Sequence, residues 1–430
     1  MAHMEIAVVG AGAAGCMAAG LLGKLAPQAQ ITVYEGGNRP LAKVAITGGG
    51  RCNLTNSFAE VKSTESVYPR GARLMRRMLN EFSHQAVCRW FEQQGVRLTT
   101  QPDGCVFPAS QDAMQVVRTL LQQMDKGGVV LRTGYRLNRL SRTADQYTLE
   151  FANGHTAQAD MVLLTLGGCK DSRLATMLEP LQIAIAPTMP SLYGLRTTPD
   201  AITQLAGTIV EQAGAGIEGT RIRTQGTLLI THQGVSGPVI LKLTAFGAAH
   251  LHQCQFQCNI FINWMGDQSA QEVAALLATM ASRHANAQLG TIHPPELTSR
   301  LWVYLLDHCG ISPTTRWAQL QPTTLRRMAE RLTHHSLCTC GRSLHKQEFV
   351  TAGGVALNQI NPSTLECRKH PNLYFAGEVL DVDGITGGFN LQAAWSMGYV
   401  AAKQMAQRVS EATACPDGGL PDALSKASTP

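Results

Sequence analysis

Two glycine-rich segments at opposite ends of the chain restrict its fold more than any other feature. Near the start, the apolar run Ile6–Val9 leads directly into Gly10-Ala11-Gly12-Ala13-Ala14-Gly15. Near the end, Leu373–Phe375 runs into Ala376-Gly377-Glu378, and Gly387-Gly388-Phe389-Asn390-Leu391-Gln392 follows. The first segment reads as a buried strand turning into a helix. Gly10 allows the tight turn, Gly12 lets backbone N–H groups approach a pyrophosphate, and Gly15 lets helix and strand pack closely. The helix start at Ala13 and Ala14 adds partial positive charge for phosphates.

Residues 13–25 are helical in character and Ile31–Tyr34 is β-rich, which completes a βαβ unit. Glu35 closes its second strand, 20 residues past Gly15, where a carboxylate can accept from ribose hydroxyls and disfavours a 2′-phosphate. In the C-terminal segment, Glu378 suits the ribityl region of a flavin. The helix opening at Gly387–Gln392 would turn its N–H groups to the flavin pyrimidine edge, where negative charge develops on reduction. Segments some 360 residues apart that converge on one ligand require a long one, which points to FAD. Another glycine pair, Gly167-Gly168, ends the apolar strand Met161–Leu166 and belongs to the same expected site.

A further Gly-x-Gly-x-x-Gly at Gly214–Gly219 reads as a decoy, because no apolar strand leads into it and Thr220–Gly226 is a poor helix start. No separate nicotinamide-binding domain is therefore expected, and NADH or NADPH would act as a transient reductant. Lys43 heads a polar loop that continues as Gly48-Gly49-Gly50-Arg51-Cys52-Asn53. It joins close backbone approach at Gly49 and Gly50 to a cation, a thiol and an amide, and could cradle phosphate or flank a flavin. Beside Arg51 the Cys52 thiol would be acidified and could donate a proton. The alternative is a small buried residue in a tight loop. His232, in Thr231–Pro238, is a second candidate acid, or else a structural loop histidine. Asp381 and Asp383 are turn residues or ligands. The stretch Arg70–Arg77 reads as a solvated helix face, and Trp302, Tyr304 and Trp317 as core.

The chain has 430 residues, enough for two or three domains, and its 44% hydrophobic and 15% charged content is that of a soluble globular protein. A net charge of +6 permits a polyanionic partner. No apolar run is long enough for a membrane helix and no signal peptide is visible, so the expected location is cytoplasmic. Residues 1–3 resemble a tag remnant ahead of Met4. The 12 cysteines form no repeating framework, and their two close pairs, Cys254/Cys258 and Cys338/Cys340, make no four-ligand zinc pattern. No metal is expected.

Helical spacing predicts helices over 72–94 and 111–125, and strands at Val129–Leu131 and Tyr147–Phe151. The expected class is α/β, a Rossmann-like FAD-binding domain with two inserts. Its N-terminal part is 4–187. A β insert follows at 188–265, with strands at Gly207–Glu211, Thr227–Thr231 and Cys258–Asn263. A helical insert spans 266–345. The C-terminal part of the FAD domain is 346–413, beginning with a strand at Phe349–Gly354, and 414–430 forms a disordered tail.

The blocks Gly10–Gly15, Ile46–Asn56, Thr231–Pro238, Thr351–Val355 and Leu373–Gln392 occur in the order seen in the BaiN/RdsA family of FAD-dependent oxidoreductases, which this chain resembles over nearly its whole length. The resemblance implies a two-dinucleotide-binding-domains flavoprotein type of fold, with β-barrel-like and helical inserts covering the flavin. After Gly168 the family pattern carries a longer polar segment, whereas here Cys169–Arg173 runs quickly to Pro187. The family implies hydride transfer from reduced flavin to a carbonyl-conjugated C=C bond. One such substrate is uracil in large-subunit ribosomal RNA, giving dihydrouridine; the other is an oxidised bile-acid-like enone. Cys52 and His232 would then be the candidate acids, and Arg51 would stabilise an enolate or a phosphate. A non-enzymatic flavin redox sensor is the alternative from another class. The oligomeric state stays open.

Overall fold

The computed structural model describes residues 4–143, 145–343 and 350–414. The expected disordered tail therefore lies outside the described residues, apart from Ala414, as do Phe349 and the 345/346 boundary. Both chain ends build one five-stranded parallel sheet. Its strands are β1 (Glu5–Val9), β2 (Gln30–Glu35), β3 (Val130–Thr133), β4 (Met161–Leu164) and β5 (Leu373–Phe375), in the order β5-β4-β1-β2-β3. The apolar runs of β1 and β4 are buried, with helices over one face of the sheet and the antiparallel strands Leu137–Thr143, Gln146–Phe151 and Thr156–Ala159 against the other.

Two of those helices are α1 (Ala13–Leu25) and α2 (Phe389–Ala414). They lie side by side because small residues let them. A Cβ on Gly398 would stand 2.6 Å from the Ala14 carbonyl, and one on Gly15 would run into the Gly10 carbonyl. On another side of α1, Gly23 meets Gly127 at the end of helix Ala113–Lys126, again backbone to backbone.

The predicted helix over 72–94 is two helices, Ala72–Glu81 and His84–Gln93. Ser83 separates them and caps the second, its Oγ accepting from the Ala86 N–H at 3.2 Å. Two further strands without an alternating pattern, Leu137–Thr143 and Thr156–Ala159, flank Gln146–Phe151 in an antiparallel sheet.

Ile185–Ser191 and Val350–Val355 pair antiparallel and lead from this domain to a closed six-stranded barrel. Around the barrel run Leu195–Thr197, Gly234–Ser236, Arg223–Thr231, Ile209–Ile217, Asn259–Asn263 and His335–Arg342. The last of these follows the helices Ala270–Arg283, Ser299–His308 and Pro322–Thr333. Position 265/266 thus does not part a β unit from a helical one, since a strand from the expected helical insert closes the barrel. The decoy motif falls on the strand Ile209–Ile217 and the turn after it. There Gly214 and Gly216 make room for the Gly266 carbonyl and the Phe261 ring. Trp302 and Trp317 are core, their indole N–H groups donating to the Leu289 and Ile292 carbonyls at 2.8 and 3.2 Å. No helix among the described residues is long and apolar enough to cross a membrane.

Where the sheet domain meets the barrel sits a buried ion pair. Arg70 is not on a solvated face. It grips fully buried Asp383 with two donors, Nε to Oδ1 at 2.5 Å and Nη2 to Oδ2, and also donates to the Ala245 carbonyl at 2.9 Å. Ser191 Oγ donates to the same carboxylate at 2.8 Å. Asp381 accepts from the Gly353 N–H at 3.1 Å, so both aspartates serve the junction. Burial pushes the Asp383 carboxyl above the usual carboxylate range, although Arg70 and Ser191 pull it down. Removing Arg70 leaves a buried charge unpaired, so Arg70→Met is expected to lose about 3–5 kcal/mol at neutral pH. The folded carboxyl then holds its proton to higher pH than the unfolded chain. The variant's stability should therefore fall as pH rises above the unfolded carboxylate range, and acidification toward pH ~5 should restore part of it. Thermal unfolding across pH checks both.

Candidate active site

The turn between β1 and α1 is built by contacts that only glycine permits. Gly10 has φ +109°, and a Cβ there would strike the Thr165 carbonyl. Thr165 holds the turn, its Oγ1 donating to the Gly10 carbonyl at 2.7 Å and the Val9 carbonyl at 3.1 Å. Gly12 differs: its φ is −86°, which any residue adopts, and a Cβ would meet nothing within 4 Å. Its missing side chain faces open space. Glu35 ties β2 to the turn by accepting from the Ala11 N–H at 2.8 Å and the Gly37 N–H at 2.7 Å.

In front of this turn lies a cleft of about 440 Å³. Gly10, Gly12, Ala13, Ala14 and Glu35 form one wall, and Lys43, Gly48 and Asn53 another. The C-terminal segment closes it with Gly377, Glu378, Gly387, Gly388, Asn390 and Leu391, and Gly167 contributes from the end of β4. A second cleft of about 310 Å³, lined by Tyr34, Tyr135, Arg136 and Leu137, shares Gly10, Glu35 and Leu166 with the first. The two form one path from the β2–β3 edge of the sheet to the start of α2.

Polar contacts fix these walls. Lys43 Nζ lies 3.1 Å from Glu378 Oε2, and Glu378 Oε1 accepts from the Thr351 N–H at 2.8 Å. Gly168 stands behind this pair, where a Cβ would collide with Thr351 and Glu378. Asn390 braces the loop before α2, exchanging hydrogen bonds of 2.8 Å with the Gly384 N–H and carbonyl. Asn53, its amide oxygen turned to Gly388, accepts from that N–H at 3.2 Å and donates to the Thr55 carbonyl at 3.0 Å. Gly388 has φ +89°, and a Cβ would strike the Thr55 carbonyl.

Other expected site residues do not reach the cleft. Cys52 is fully buried, and burial pushes its thiol up to about 12, the reverse of the acidification expected from Arg51. The Arg51 guanidinium instead lies 4.5 Å from the Phe107 ring centroid, with Nε donating to the Gly48 carbonyl at 3.1 Å. Gly49 and Gly50 are left-handed turn residues outside the lining. Phe389 packs against Phe58 and Tyr68. Gln392 is sealed in the core, accepting from Thr55 Oγ1 at 2.5 Å and donating to Ser396 Oγ at 2.8 Å. His232 is exposed in the turn between Arg223–Thr231 and Gly234–Ser236. His232 is not among the residues that line the cleft.

Sequence reasoning missed Thr165, Arg39, Leu192 and Val350, which all line the cleft. Thr165 follows a recognisable strand, but Leu192 and Val350 reach the site only through the linker strands. Among the described residues no cluster of three or more His, Cys, Asp or Glu side chains is arranged to hold a metal ion.

The family model described as the HI0933-like protein Rossmann domain matches residues 4–404. The chain belongs to the HI0933-like family. Among curated relatives of this HI0933-like protein is the 3-dehydro-bile acid delta(4,6)-reductase of Clostridium scindens, 27% identical over 416 residues, covering 94% of this chain and 99% of the relative. The ribosomal RNA dihydrouridine synthase of Escherichia coli is also 27% identical, over 414 residues, covering 94% and 98%. Among solved structures, the 3-ketosteroid delta1-dehydrogenase from Sterolibacterium denitrificans superposes with a TM-score of 0.48 at 12% identity, covering 94% and 99%.

The fold is therefore a Rossmann-type FAD-binding domain carrying a small barrel, and the residues present fit the cofactor. The open space at Gly12 is a cradle that a Cβ would fill, Glu35 stands where the two clefts join, and both chain ends meet along them. A side chain at position 12 should thus obstruct the ligand without straining the fold. Gly12→Val is expected to keep the parent melting temperature and to weaken FAD binding by roughly tenfold or more. Gly10→Ala should instead lose about 2–4 kcal/mol of stability. Flavin fluorescence titration and thermal unfolding separate the two. Cys52→Ala should retain FAD and full turnover.

Proposed function

We propose that this chain is a FAD-dependent reductase of a carbonyl-conjugated C=C bond, with uracil of large-subunit ribosomal RNA as its substrate and dihydrouridine as product. The observation that carries this reading is the cleft closed by both chain ends, in a chain aligned along nearly its full length with two reductive relatives. The bound, reduced cofactor supplies a hydride to the alkene carbon remote from the carbonyl, and the adjacent carbon takes a proton.

The chain's own residues hold and shape the site. The Gly10–Gly15 turn and the start of α1 present N–H groups to phosphates, and Glu35 is placed for ribose hydroxyls. Asn53, Gly388 and Asn390 set the start of α2 against the cleft, where the positive end of a 26-residue helix favours negative charge. Leu192 and Val350 close it from the barrel side. No second nucleotide-binding motif accompanies the first, so NADH or NADPH serves as a transient reductant. The net charge of +6 supports a polyanionic substrate.

The deciding measurement is the dihydrouridine content of large-subunit ribosomal RNA, by nucleoside mass spectrometry, from cells with and without this gene. Loss of the nucleoside, restored by the purified protein with FAD and NADPH or NADH, is the expected result. An unchanged level would overturn the RNA reading and assign the same cleft to a small enone, for which a bile-acid-like 3-keto-4-ene is the first acceptor to assay.

A further inference from the structure

Folding gathers the two close cysteine pairs at one rim of the barrel. Asn259, which follows Cys258, pairs with Cys338 across antiparallel strands. Side chains alternate along a strand, which sorts the four thiols into two sets. Thr339 shares a face with Cys258, their Oγ1 and Sγ atoms 3.6 Å apart. Cys338 and Cys340 take the opposite face, where Cys340 Sγ lies 3.2 Å from the Thr197 carbonyl. Of the neighbouring thiols, Cys254 interacts with Cys258 more strongly than Cys338 does.

The chain between these two cysteines is tightly folded. Cys254 caps helix Ala248–Gln253, and the next two residues, Gln255 and Phe256, are both left-handed, with φ of 52° and 62°. That conformation is disfavoured for L-residues. The Gln257 N–H donates to the Cys254 carbonyl at 2.9 Å, and the turn sets Cys258 back over the helix end. Both cysteines are half-buried, so small reagents can reach them. Phe256, at the centre of the turn, packs edge-on against Tyr193 at 5.7 Å. Tyr193 directly follows the cleft residue Leu192.

We propose that Cys254 and Cys258 form a reversible dithiol–disulfide pair, a redox-modifiable site on the barrel rim. The oxidant is a low-molecular-weight disulfide such as oxidised glutathione. The Cys254 thiolate attacks one of its sulfurs, forming a mixed disulfide and releasing one glutathione thiolate. The Cys258 thiolate then attacks the Cys254 sulfur and releases the second. One S–S bond breaks and one forms, two cysteines are oxidised, two glutathiones are reduced, and the cysteine protons end on the released thiolates. Burial pushes the Cys258 thiol up to about 11, so little thiolate is present near neutral pH and the second, intramolecular step is slow there.

The test equilibrates the full-length protein in glutathione buffers of varied oxidised-to-reduced ratio, alkylates free thiols with N-ethylmaleimide and maps tryptic peptides without reduction. No Lys or Arg lies between Lys242 and Arg283, so both cysteines fall on one peptide, 243–283. In oxidising buffer that peptide should appear unalkylated and two hydrogens lighter, and return to the doubly alkylated form in reducing buffer. Cys254→Ser and Cys258→Ser should each abolish the lighter form. Peptide 243–283 carrying only alkylated or glutathionylated cysteines in oxidising buffer would overturn the proposal. So would a cross-link from Cys258 to Cys338 or Cys340.

Discussion

The backbone-to-backbone contact between α1 and α2 underlies the rest of the structure. Gly398 lies against the Ala14 carbonyl, so two helices from opposite chain ends approach as closely as their backbones allow, while Gly15 lies against the Gly10 carbonyl and seats α1 on its own turn. Larger side chains would push them apart, and the walls of the cleft would separate with them. The contact also seats β5 beside β4, which places Gly377 and Glu378 next to the N-terminal turn. A ligand spanning both segments therefore meets a single rigid surface, although its halves are made at opposite ends of translation.

Residues of one chemical type have different fates around this surface, decided by phase rather than by identity. Asn390 and Leu391 open onto the cleft, while Gln392, one residue on, turns into the core to bond Thr55 and Ser396. A step of about 100° around the helix is enough to separate them. Glu35 and Glu378 both line the cleft, and each is held by backbone N–H groups at about 2.8 Å, so their carboxylates are fixed in place.

Much of this was legible in the residues. The strand, glycine turn, helix and acid of the first unit are coded by contiguous signals, and α1 spans residues 13–25, where the spacing predicts it. The glycine at 15 excludes a side chain for a local steric reason, whereas those at 10 and 388 make room for the Thr165 and Thr55 carbonyls, far away in sequence. Cys52 and His232 were misplaced because neighbouring residue types say nothing about which way a side chain points. Burial alone sets the Cys52 thiol while the Arg51 guanidinium lies over Phe107, and His232 falls in an exposed turn outside the cleft lining. Barrel closure by His335–Arg342 and the arrival of Leu192 and Val350 at the cleft rest on pairings across large sequence separations. The residues concerned carry no local mark of those pairings.

The placement of the barrel within the chain bears on the order of synthesis. All six barrel strands lie between residues 195 and 342, so the barrel has every strand available while the C-terminal segment is still unmade. The parallel sheet has four of its strands by residue 164 but must wait for β5, and α1 must wait for α2. During translation the middle of the protein can therefore fold first, while the apolar flank of α1 stays uncovered until the last helix leaves the ribosome. A release of the chain before residue 373 would leave a folded barrel attached to a four-stranded sheet that lacks β5, α2 and the C-terminal wall of the cleft.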